Sequence, residues 1–107
     1  MVMPLPYEII YAEDTFQHII AIERKVHSFI RKTVEEQLRH EPNVRTHNRK
    51  PLVKPSRFGE AWELRCGPDN MFRVSYRTDE DADQVRMLAI AVKRGNKLFI
   101  GEKEFVP

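Results

Sequence analysis

The strongest constraint in this chain is the alternation on either side of one short turn. Residues 61–66 (AWELRC) set Trp62, Leu64 and Cys66 on one side and Glu63 and Arg65 on the other. Residues 71–77 (MFRVSYR) do the same, with Phe72, Val74 and Tyr76 against Arg73, Ser75 and Arg77. Residues 67–70 (GPDN) between them are turn formers. Side chains alternate across a strand, so the register that unites both apolar sets places Cys66 opposite Phe72, Leu64 opposite Val74 and Trp62 opposite Tyr76. It also forces Arg65 opposite Arg73 on the other face. Like charges opposed across paired strands are destabilising. Such a pair asks for an anion, with phosphate the natural candidate. The alternative is two solvated arginines, with Glu63 lying diagonal to Arg73 and neutralising it.

The same register extends downstream. An acidic turn at 79–83 (DEDAD) leads to a long strand at 84–94 (QVRMLAIAVKR), and Gly95-Asn96 is a hairpin signal before 97–100 (KLFI). Phe72 then faces Val92, Val74 faces Ile90 and Tyr76 faces Leu88. Ala91 lies beside Arg73, Ala89 beside Ser75, and Lys93 beside Met71, diagonal to Arg73. The result is a floor of small residues ringed by cations. Upstream, residues 7–11 (YEIIY) read as a strand, and Asp14 with Gln17 as a capping pair. Phe16, Ile19, Ile20, Val26, Phe29, Ile30, Val34 and Leu38 recur at helical spacing until Pro42. One helix over 15–41 would be about 40 Å long at about 1.5 Å per residue, against a domain diameter of roughly 34 Å. Two helices broken around 24–27 are therefore expected. The order is β-α-α-β-β-β: an α+β fold in a single domain over 1–107, its mainly antiparallel sheet covered on one face by two N-terminal helices.

The net charge of +2 says little about partners, but its distribution says more. Residues 42–59 hold Arg45, Arg49, Lys50, Lys54 and Arg57, no acid and three prolines, without helical or strand period. This stretch reads as an extended surface connection entering the sheet just before Arg65. Such a run suits phosphate-backbone contact, with a solvated loop or an acidic partner as alternatives. One cysteine excludes a disulfide framework or a multi-cysteine zinc site and suits a reducing cytosol. The longest apolar run, 87–92, falls far short of the roughly 20 residues that span a bilayer, and residues 1–6 lack a signal peptide's charged start. The expectation is a cytoplasmic protein without membrane contact. Cys66 and Trp62 read as core. His18, His27 and His40 lack partners at metal-ligand spacing, and the acidic turn offers no fixed metal geometry.

Taken with the strand order, 48–52 (NRKPL), 62–65 (WELR), 72–76 (FRVSY) and 89–94 (AIAVKR) resemble the RelE/ParE superfamily of toxins from bacterial toxin–antitoxin systems. The resemblance runs from residue 7 to about residue 100. Its RelE-like branch implies a small ribosome-dependent endoribonuclease that cuts mRNA in the decoding site, with no metal or cofactor. The implied partners are a cognate antitoxin, the ribosome and mRNA. Arg73 matches the arginine of the family's aromatic-Arg-x-x-Tyr strand. Arg94, with Lys93 beside it, matches a basic residue late in the next strand, and Lys50 matches a polar residue before Pro-Leu. Ala61 and Glu63 stand where RelE has two lysines, and Phe99 and Ile100 where it has a tyrosine.

Alternation puts Lys93 on the site face, whereas the resemblance favours Arg94; a bulge at the strand end would bring the two into agreement. The implied chemistry is attack of a ribose 2′-OH on the adjacent phosphorus, with Arg73 and Arg65 stabilising the phosphorane. Lys93, Lys50 or Glu63 is the candidate base, and His47 a bystander in the loop. Two alternatives share the fold: a ParE-like poison of DNA gyrase, and a catalytically inert module that docks an acidic partner.

Overall fold

A computed structural model of the chain describes residues 6–53 and 56–105. Strand β1 (Glu8–Tyr11) leads into helix α1 (Glu13–Ile20), a 3-10 turn (Arg24–Val26) and helix α2 (His27–Leu38). Six strands follow: β2 (Arg49–Pro51), β3 (Trp62–Cys66), β4 (Phe72–Asp79), β5 (Gln84–Arg94), β6 (Lys97–Ile100) and β7 (Lys103–Phe105). The helical stretch breaks where expected. Its start differs: Ala12 holds the N-cap position without a side-chain bond, and the Thr15 hydroxyl donates to the Ala12 carbonyl at 2.5 Å.

The sheet runs β2-β3-β4-β5-β6-β7 with antiparallel neighbours, and β1 adds in parallel to the first half of β5. Two short strands, β2 and β7, extend the expected order at its edges. The β3–β4 pairing has the register deduced from alternation, including Arg65 opposite Arg73. The β4–β5 pairing follows expectation from Phe72–Val92 to Ser75–Ala89 and then slips by one residue. Tyr76 pairs with Met87 instead of Leu88, and Arg77 with Arg86. The cause lies in β5 itself. Unbroken alternation from Ile90 would turn Met87 and Val85 to the outer face, yet both are fully buried. Leu88 is the extra residue of a β-bulge, which lets both halves of the strand keep their apolar side chains in the core.

That core is a layer between α2 (Ile30, Val34, Leu38) and the inner face of the sheet (Leu64, Val74, Tyr76, Val85, Met87, Ile90). Tyr76 donates its hydroxyl to the Pro42 carbonyl at 2.8 Å, fastening the chain after α2 to the sheet. Trp62 stacks on Tyr76 at 6.4 Å between ring centroids, and so serves the core. Cys66 is buried, and burial pushes its thiol up to about 11, which leaves it unreactive. On the far edge of β5, β1 pairs with residues 84–87 and β6 with 91–94. In the gap between them His18 of α1 accepts the Ile90 backbone N–H on Nδ1 at 3.2 Å. No described helix is long and apolar enough to cross a membrane.

Candidate anion-binding cleft

The helices cover one face of the sheet; the other carries a cleft of about 220 Å³. Its floor is Ser75 of β4 and Ala91 of β5, both buried and too small to fill it. Lys50 and Glu63, cross-strand partners in β2 and β3, form one wall, and Leu98, Ile100 and Phe105 form the other. The segment after β2 folds over the top. There Phe58 stacks on Phe105 at 5.9 Å, and the Arg57 guanidinium lies 4.7 Å from the same ring. Arg77 anchors this cover from β4, donating from Nη2 to the Phe58 carbonyl and from Nε to the Glu60 carbonyl.

Arg73 enters the cleft beside the floor. Its Nε donates to the Asn70 carbonyl at 2.9 Å, which fixes the side chain and leaves both Nη groups for the cleft. The opposed arginines share one carboxylate unequally: Glu63 Oε1 is 2.7 Å from Arg65 Nε and 3.6 Å from Arg73 Nη1. The first is a charge-assisted hydrogen bond; the second is too long to be one. Arg65 therefore orients Glu63, while Arg73 keeps donors in reserve. Burial, reinforced by Arg65 and opposed by Glu63, draws the Arg73 pKa below its ordinary value. An arginine stays protonated nonetheless, so the cleft holds a fixed cation.

Of the residues expected at the site, Arg73, Lys50, Glu63 and Arg57 line this cleft. Arg65 stands next to it through Glu63. Lys93 lies on the same sheet face but past the end of the cleft, exposed beside Pro68 and Asp69. Arg94 is a correction. It points to the helix side of the sheet, lines a hollow with Ile22 and Glu23, and sits 5.8 Å over the Phe99 ring. The bulge falls at Leu88 and not at the strand end, so alternation from Ala91 to Arg94 is unbroken.

Arg49 is a second correction. Grouped with the RNA-contacting cations, it is instead buried on the core side, where Nη1 donates to the carbonyls of Gln37 and Glu41 at 2.5 and 2.6 Å. Those carbonyls close the C-terminal end of α2, whose dipole favours a cation. Arg45 is exposed and apart from the cleft lining, and Lys54 lies outside the described residues.

Sequence reasoning missed the apolar wall and the cover. Phe105 had a readable signal, since Gly101 takes a φ of +64° between two short alternating runs and closes a hairpin like the one at Gly95. Phe58 had none, because the stretch around it follows no period.

A chain in the crystal structure of the RelBE2 toxin–antitoxin complex from Mycobacterium tuberculosis matches this fold with a TM-score of 0.68. The match spans 83% of this chain and 93% of that one, at 18% sequence identity. The fold is RelE-like. Neither a family model nor a curated protein sequence matches the chain. Within this RelE-like frame, β3, β4 and β5 supply the floor and the charged wall, while β6, β7 and the 56–58 cover supply the apolar side.

Proposed function

We propose that this chain is the toxin of a toxin–antitoxin pair and a metal-independent endoribonuclease acting on ribosome-bound mRNA. The observation that carries the reading is Arg73, held by Asn70 with free Nη donors over a floor of Ser75 and Ala91, beside a carboxylate that Arg65 keeps in place. A phosphate on that floor meets Arg73, which stabilises the charge building on the non-bridging oxygens. Glu63 takes the 2′-OH proton, the 2′-oxygen bonds to phosphorus, and the 5′-oxygen leaves. Lys50, facing Glu63 across the β2–β3 pair, is the proton donor to that leaving oxygen. The products are a 2′,3′-cyclic phosphate and a 5′-OH end, and positioning by the ribosome supplies much of the rate. The apolar wall accommodates a base. The antitoxin, on this reading, silences the toxin by covering the cleft.

One feature favours a second reading. Glu63 is held by both arginines, which engages the carboxylate that the nuclease reading needs as base, as expected of a catalytically inert module. Primer extension on a translated reporter mRNA in a cell-free system separates the two. Cuts confined to translated message, and reduced about 100-fold or more by Arg73→Ala, are expected. An intact message with the wild type overturns the nuclease reading.

A further inference from the structure

The bulge at Leu88 does more than keep Met87 in the core. With unbroken alternation Arg77 would face Met87, and Arg86 would sit on the helix side. The one-residue slip brings Arg86 opposite Arg77 on the same face as the cleft. That face thus carries two pairs of opposed arginines, Arg65–Arg73 and Arg77–Arg86. Only the first has a carboxylate between its members. Among the described residues, no acid lies within ion-pair distance of Arg77 or Arg86. Asp79, the next residue of β4 on that face, turns its carboxylate to the Ala82 backbone N–H at 3.1 Å.

Arg77 is also oriented. The loop carbonyls of Phe58 and Glu60 occupy its Nε–Nη2 edge, so the Nη1–Nη2 edge remains for a ligand. A guanidinium edge fixed in this way, facing a second free arginine, matches the paired oxygens of a phosphate.

We infer that Arg77 and Arg86 form a second phosphate contact, engaging the backbone of the same RNA strand whose scissile phosphate sits at Arg73. This rests on the nuclease reading and extends it. Arg73 and Arg77 are four residues apart along β4, which at about 3.3 Å per residue is about 13 Å. One phosphate cannot reach both positions, and a strand of a few nucleotides can. The chain therefore holds its RNA along the outer face of β4.

The test is an NMR titration of the nitrogen-15-labelled protein with the dinucleotide UpU, which has one phosphodiester, and with hexauridylate. Arg86 is exposed on the outer face, so Arg86→Ala leaves the fold intact and the Arg77 anchor untouched. Arg86→Ala is expected to weaken hexauridylate binding about tenfold and to lower its salt slope by about 0.7. UpU binding stays unchanged, and Arg86→Lys recovers part of the loss. Equal hexauridylate affinity for wild type and Arg86→Ala, including no binding by either, overturns the second contact.

Arg73→Ala separates the two levels. If it weakens both ligands while Arg86→Ala weakens neither, the cleft stands and the second contact falls. If Arg73→Ala changes neither ligand while Arg86→Ala weakens hexauridylate, the Arg77–Arg86 contact stands and the placement of the scissile phosphate falls.

Discussion

Arg49 and Lys50 are neighbours in one cationic stretch, and the sheet sends them to opposite faces. Lys50 reaches the cleft; Arg49 is drawn inside to close the end of α2. Nothing in the sequence separates them, because the partners of Arg49 are backbone carbonyls that carry no side-chain signature. Arg73 was legible for the opposite reason: its position follows from the alternation of its own strand and of β3. Removing Arg49 leaves two carbonyls without a donor inside the protein. Arg49→Met is expected to cost about 3 kcal/mol of folding stability, by the usual range for buried groups that lose a charged partner. Urea denaturation measures that loss, and UpU titration in dilute urea-free buffer is expected to show an unchanged cleft. An unfolding midpoint equal to that of the wild type would show that solvent replaces the guanidinium at no cost.

At the level of elements, the β3–β4 hairpin could be read residue by residue, and the bulge in β5 could not. Both Leu88 and Met87 are apolar, so neither resists a place in the core, and the choice between them rests on fitting Val85 as well. Strand β2 was hidden by prolines and by its length, since three residues are too few to show a period. Helix α1 completes the sheet through His18, which must be unprotonated on Nδ1 to accept the Ile90 N–H. Burial lowers the His18 pKa from its ordinary 6.5, and Asp14 opposes the shift only in part. The unfolded chain thus binds this proton first as pH falls. His18 supports the fold fully above about pH 6.5 and progressively less below it. Chemical denaturation at pH 7.5 and 5.5 is expected to show wild-type stability dropping on acidification more than that of His18→Gln, whose amide oxygen accepts the same N–H without titrating. Parallel losses in the two proteins would remove His18 from the account.

Over the whole molecule, β5 is the strand on which the others depend. It pairs with β4 along one edge and with both β1 and β6 along the other, and it contributes Val85, Met87 and Ile90 to the core. A chain ending at residue 83 keeps both helices and the β3–β4 hairpin but has nowhere to bury Tyr76 or α2. It is expected to lack a cooperative unfolding transition by circular dichroism; a sigmoidal transition would show that these elements fold without their central strand. The parallel pairing of β1 with β5 also has a consequence in time. Glu8 is made before both helices and the next three strands, and its partner Gln84 only after them. Contacts so distant in sequence form late. During synthesis the first strand must wait for the fifth, and the floor of the cleft waits with it. Until β5 has been made the newborn chain has no finished site, and a partner already in solution can meet it before that site exists.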